Sequence, residues 1–247
     1  MSILFIADVH LCNTKPKIIH GFLNFLYNHA MQAQALYILG DLFEVWLGDD
    51  EKNIMHMTIA KGLQSLHKKK VPCYFIRGNH DFLLGPKYAN LCDMILLPDS
   101  QVLKLPSGKN VVILHGDTLC IDDKSYQRLR NFLHCQILQK IFLSLPLSMR
   151  LYIFNCARTF CIKYKKYKLK QNLHIKLQTV IDMLIKNQSK ILIHGHTHQP
   201  AIHNIQISEN ISFKRIVLGQ WNKYGSVATI NEKNDDINLI HFPLNKQ

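Results

Sequence analysis

Five times along this chain of 247 residues, a short apolar run ends in a cluster of Asp, Asn, Gly and His. The runs are 3–7, 35–39, 71–76, 111–114 and 191–193. They lead into Asp8 and His10; Gly40-Asp41; Gly78-Asn79-His80-Asp81; His115-Gly116-Asp117; and His194-Gly195-His196-Thr197-His198. Short runs rich in Val and Ile and bounded by Gly, Asp or Asn read as buried strands. Between them, Ile18, Ile19, Phe22, Phe25 and Leu26 share one helical face behind Pro16, and a second helix is expected over 52–67. Strands alternating with helices predict an α/β fold with the polar clusters gathered at the carboxyl edge of a sheet. After His198 the pattern changes to strand-like runs at 202–207, 213–218, 226–230 and 237–242, which suggest a second, antiparallel layer.

Composition narrows the class. With 47% apolar and 19% charged residues, the chain is neither disordered, collagenous nor coiled coil. No apolar stretch is long enough to span a bilayer, and the N-terminus lacks the basic region of a cleaved signal. Seven cysteines without a CxxC speak against a thiolate zinc site or a disulfide framework, and a reducing cytoplasm fits them. The net charge of +13 is concentrated in one place. Residues 124–181 hold twelve Lys or Arg and no acid, so the other eighteen basic residues are nearly balanced by seventeen acids. The same segment carries an apolar stripe (Phe132, Leu133, Ile137, Leu138, Ile141, Phe142, Leu145) that Pro146 breaks. A basic segment rich in Leu, Ile and Phe suits an anionic membrane surface as well as it suits nucleic acid. The expected organisation is a core of 1–123 and 188–247, interrupted by a helical insertion at 124–187.

Any one polar cluster is ordinary, since Asp after a strand usually caps a helix or turns the chain. Five clusters with His recurring throughout are not explained by turn chemistry. All offer hard or borderline ligands without thiolate, a set suited to Mn²⁺, Fe²⁺ or Zn²⁺. The order D-x-H, GD, GNHD, HG, GHTH resembles the calcineurin-like metallophosphoesterases. That resemblance implies a β-sandwich flanked by helices and a centre of two metals. Asp8, His10, Asp41 and His198 would hold one ion, and Asp41, Asn79, His115 and His196 the other, with Asp41 bridging. Two cations about 3.5–4 Å apart repel unless an anionic bridge screens them, and a hydroxide between them can attack phosphorus in line. His194, one position before the glycine, reads as structural, and Asp81 as a carboxylate that holds an imidazole.

Longer motifs narrow the resemblance. Residues 39–50 (LGDLFEVWLGDD) and 115–123 (HGDTLCIDD), with 7–12 (ADVHLC) and 240–243 (IHFP), are similar to the UDP-2,3-diacylglucosamine diphosphatase family. Membership implies hydrolysis of the substrate pyrophosphate to 2,3-diacylglucosamine 1-phosphate and UMP in lipid A synthesis, with two Mn²⁺ per chain. It implies a helical cap over 124–187 enclosing two acyl chains, and catalytic roles for Asn79, His80 and His196. Substrate contacts would come from these three together with Asp123, Cys161, Lys165 and Lys168. Two cap positions depart from the family, with Cys161 and Lys165 standing for Ser and Asn, whereas Lys168 matches. His80 stands where better-known members have Arg. The implied partners are a lipid-linked UDP-sugar and the anionic cytoplasmic face of the inner membrane, where the protein would be peripherally bound. Neither nucleic acid nor an obligate protein partner is expected. A nuclease or cyclic-nucleotide phosphodiesterase is the alternative, with Tyr164 and Tyr167 as stacking residues. A non-catalytic binding protein would have shed ligands, and all seven are present.

Overall fold

The computed structural model describes residues 2–51, 53–167, 175–209, 211–231 and 234–244, with side chains left out at 160–167. Two sheets pack face to face. The first has strand order β11-β10-β1-β2-β3-β4, built from β1 (Ser2–Ile6), β2 (Ala35–Leu39), β3 (Cys73–Ile76), β4 (Met94–Leu96), β10 (Tyr224–Asn231) and β11 (Ile237–Pro243). Strands β1 to β4 run parallel, and the C-terminal pair joins antiparallel through β10 on β1. The second sheet has order β5-β6-β7-β9-β8, from β5 (Ser100–Lys104), β6 (Asn110–Leu114), β7 (Ile191–His194), β8 (Ala201–Ser208) and β9 (Ile211–Val217).

The apolar runs lack alternation because both faces of each central strand are covered. Leu4, Ile6, Leu36, Ile38 and Phe75 face α1 (Pro16–Asn28), α2 (Ile54–Lys68) and α3 (Pro86–Leu91) in one core. Phe5, Leu39 and Ile76 face the other way, onto Val111, Ile113, Ile191, Ile193 and Ile216 of the second sheet. Pro16 opens α1, whose Ile18, Phe22, Phe25 and Leu26 are buried as their spacing requires. Asn53 starts α2 by accepting the Met55 N–H at 2.9 Å.

Two expectations change. The late strands do not make a layer of their own: β8 and β9 extend the second sheet, with β9 parallel to β7, while β10 and β11 extend the first. Strand patterning fixes which face is buried but carries no label for the partner strand. The insertion stripe also divides. It begins in α4 (Lys124–Leu133), breaks at His134-Cys135, and resumes in α5 (Gln136–Ser144), with α6 (Leu147–Tyr167) after Pro146. Phe132, Ile137 and Ile141 stay exposed, while Phe142 packs on the first core. The fourth helix, α7 (Leu177–Lys186), buries Val180 and Leu184 against the outer face of β6 and β7.

Candidate metal centre

Every polar cluster leaves the carboxyl end of its strand, and the sandwich brings all five to one place. The backbone there is unusual. Nine described residues other than glycine have positive φ, and Asp8, His10, Asp41, His196 and His198 are five of them, at 53°, 52°, 53°, 68° and 56°. Left-handed backbone in such residues costs on the order of 1–3 kcal/mol each and persists where surrounding structure imposes it. Gly40 (φ 83°) passes so close to the neighbouring loop that a Cβ would lie 2.6 Å from Gly78 Cα and 2.7 Å from His115 Nδ1. Only glycine lets the two loops meet.

The candidate ligands converge. Asp8 Oδ1 is 3.3 Å from His198 Nε2, and Asp41 Oδ2 is 3.8 Å from His10 Nε2 and 3.5 Å from His115 Nε2. Asn79 Oδ1 is 2.9 Å from both His115 Nε2 and His196 Nδ1. Asp41 therefore stands between a group of Asp8, His10 and His198 and a group of Asn79, His115 and His196. Three sets of ligand atoms have the mutual spacing a cation needs: Asp8, His10, His198; His10, Asp41, His80; and Asp8, Asp41, His115. His80, expected to contact substrate, is thus also within the ligand cluster.

These residues fit divalent ions on their own geometry. Both ring nitrogens of His10 and Nε2 of His196 are buried without a hydrogen-bond partner, an arrangement disfavoured unless something else binds there. The His115 Nδ1–H donates to the Leu39 carbonyl at 2.9 Å, which leaves Nε2 to ligate. The charges are unbalanced. Burial lifts the Asp41 carboxyl to about 6, with Asp81 adding to it against His115. Burial and His80 push His10 down to about 4, while burial and His115 do the same to His196. His115 rises to about 9 because Asp41, Asp8 and Asp117 outweigh its burial.

Asp81 is not an imidazole holder. Its carboxylate accepts the N–H groups of Asp41, Leu42, Phe43 and Gly78 at 3.2, 2.7, 3.3 and 2.8 Å. It ties two ligand-bearing loops together through their backbones. The group that orients His80 is the Glu44 carbonyl, which accepts from Nδ1 at 2.7 Å, and the Glu44 carboxylate lies 3.6 Å from His10 Nδ1. Sequence reasoning missed Glu44, because a backbone carbonyl leaves no signature in side-chain type. His194 is structural, as expected: its Nδ1–H donates to Gly195 O, its Nε2 accepts from Arg215 Nε, and burial with Arg215 holds it down at about 3.

Asp123 caps α4 by accepting the Tyr126 N–H at 2.9 Å. Next to it, Asp117 is buried and paired with Arg130 of α4, which also reaches Asp99 at 2.8 Å. Cys161 and Lys165 fall on α6 where side chains lie outside the described residues, and Lys168 lies outside them altogether.

Residues 1–200 match the family described as calcineurin-like phosphoesterase. Curated relatives match far more closely. The UDP-2,3-diacylglucosamine hydrolase of Blochmanniella pennsylvanica is 58% identical over 99% of this chain and 98% of its own. The chain belongs to the UDP-2,3-diacylglucosamine hydrolase family of calcineurin-like phosphoesterases. Other hydrolases of this family, from Sodalis glossinidius and Escherichia coli O81, are 48% and 45% identical over 94% and 98% of this chain and 95% and 100% of theirs. Membership makes the protein a metal-dependent hydrolase with the expected fold. Among its described residues no helix is long and apolar enough to cross a membrane.

Proposed function

We propose that the protein hydrolyses the pyrophosphate of UDP-2,3-diacylglucosamine to UMP and 2,3-diacylglucosamine 1-phosphate, using two Mn²⁺ ions. The observation that carries this reading is Asp41, whose one carboxylate faces both ligand groups, in a chain 58% identical to a named hydrolase of that substrate. Asp8, His10, Asp41 and His198 would hold one ion, and Asp41, Asn79, His115 and His196 the second. When bound, the ions supply Lewis acidity and positive charge for phosphoryl transfer.

The chain's own residues do the rest. Asp8, with backbone and side chain fixed, also accepts the His196 N–H at 2.9 Å, so the first and last motifs are held in register. His80, steadied by the Glu44 carbonyl, donates to an oxygen of the diphosphate, and Asn79 and His196 contact the same group. Asp123, Cys161, Lys165 and Lys168 contact the rest of the substrate. The cap is carried by α4 to α6, whose Phe132, Ile137 and Ile141 are exposed. In this reading these side chains cover acyl chains, and the acid-free basic segment supports binding at the anionic cytoplasmic face of the inner membrane.

The test is release of UMP from UDP-2,3-diacylglucosamine by purified protein, with Mn²⁺ and after chelation. Metal-dependent release of UMP and the diacyl sugar phosphate in equal amounts is expected. Turnover of a nucleic acid or cyclic nucleotide, with the lipid untouched, would overturn the reading.

A further inference from the structure

Among the described residues, one arginine is fully buried where an apolar side chain would be easier to accommodate. Arg150, in the first turn of α6, is 1% exposed, and its guanidinium is used on three sides. Nε donates to the Leu145 carbonyl at 3.0 Å, Nη1 to the Leu47 carbonyl, and Nη2 to the Asp50 carboxylate. Leu145 belongs to the corner between α5 and α6. Leu47 and Asp50 belong to the loop that follows Asp41.

That loop is shaped to receive it. Gly48 has φ 141°, and a Cβ there would collide with Nη1 of Arg150 and lie 3.1 Å from Leu143 Cδ2 of α5. Asp49 stiffens the same loop from below, accepting from the Trp46 indole at 3.1 Å, Gly85 N at 2.9 Å and Tyr88 N at 3.1 Å. The LGDD sequence at 47–50 is thereby accounted for residue by residue: a carbonyl, a space, a loop brace and a carboxylate.

Burying a guanidinium is a poor way to gain stability, because desolvation consumes most of what the pairing returns. What the fork geometry supplies is direction, since its donors reach separate acceptors only at one position and angle. We propose that Arg150 sets the pitch of α5 and α6 over the metal-bearing loops, and so determines how lipid is seated relative to the reacting phosphorus. It is a positioning residue. The inference rests on the diphosphatase reading for its consequence, though not for the latch itself.

The experiment compares Arg150→Met, Arg150→Lys and the milder Asp50→Asn with the unsubstituted protein. The measurements are turnover of UDP-2,3-diacylglucosamine and of bis(p-nitrophenyl) phosphate, bound Mn²⁺, and amide exchange across 136–159. Misplacement of a substrate by about 1 Å can lower turnover about 100-fold. The Met variant should therefore raise KM for the lipid by about tenfold or more while kcat/KM on the soluble diester stays within about twofold. Metal content should stay unchanged and exchange across 136–159 should quicken. Lys should restore part of the lipid KM, and Asp50→Asn should fall between Lys and the unsubstituted protein. Equal losses on both substrates with a lowered Tm would make Arg150 merely structural, and an unmoved lipid KM would also overturn the proposal. If the unsubstituted protein fails to turn over the lipid, the diphosphatase reading fails by itself. Exchange across 136–159 still decides the latch, and unchanged exchange in the Met variant sinks it.

Discussion

Asp41 has one carboxylate facing two groups of candidate ligands. Its Oδ2 lies 3.5 Å from His115 and 3.8 Å from His10, while Oδ1 accepts the His80 N–H at 2.9 Å. Asp41→Ala should abolish turnover and remove more than one Mn²⁺ per chain by elemental analysis, since the remaining ligands leave the cations unscreened. Retention of both ions would refute the bridge. His80 offers a second test. Its Nδ1–H is engaged by Glu44 O, so only Nε2 remains for a ligand or a phosphate oxygen. The leaving group of a pyrophosphate is already a stable anion, so a donor matters there more than an acid. His80→Ala should lose about 100-fold in kcat, the lower end for a lost oxyanion donor, and His80→Arg should keep substantial activity. If Arg is as inactive as Ala, proton donation is favoured. The same two variants assayed for bound Mn²⁺ show whether His80 also ligates. At this scale the sequence was informative about which polar side chains meet, namely Asp8, His10, Asp41, Asn79, His115, His196 and His198. It was silent where backbone does the work, as with Glu44 O and the four N–H groups on Asp81.

At the scale of elements, the predicted strands and the helix behind Pro16 were legible because two-sided burial makes continuous apolar runs and one-sided burial makes a 3.6-residue stripe. Strands β4 and β5 were not, being short and half exposed. The stripe at 132–145 was legible as helical, but its break between α4 and α5 was not. An apolar stripe looks the same in a sequence whether it is covered or open, and here Ile137 is 69% exposed. Replacing the exposed Phe132, Ile137 and Ile141 together with polar residues should raise KM for the diacyl substrate and change hydrolysis of a soluble phosphodiester much less. Each acyl methylene buried contributes about 0.8 kcal/mol. Equal losses on both would refute that role. Acid should loosen the same region first. Arg150 holds the Asp50 carboxyl below its usual value. That pairing stabilises the fold fully above the unfolded value of about 3.9 and is lost as pH falls through the lower folded one. Amide exchange in α5 and α6 should rise below about pH 4, and Asp50→Asn should erase that dependence.

The whole molecule could not be assembled from its pattern, because the pairing of β10 with β1 joins residues more than two hundred positions apart. The register Phe5 with Ala228 puts β1 in the middle of its sheet, and the Trp221 N–H donates to the Asp8 carbonyl at 3.0 Å. A chain ending after Asn222 keeps every candidate ligand but leaves one edge of β1 unpaired. It should bind less than one Mn²⁺ by elemental analysis, and normal loading would show that the sheet is complete enough without β10 and β11. The same topology sets a schedule for biosynthesis. At roughly 5–20 residues per second, the strand that seats Asp8 waits on the order of 10–40 s before its partner is translated. During that wait β1 offers an open edge to any other chain nearby. The first strand of the chain therefore depends on shelter until the last two strands have been made.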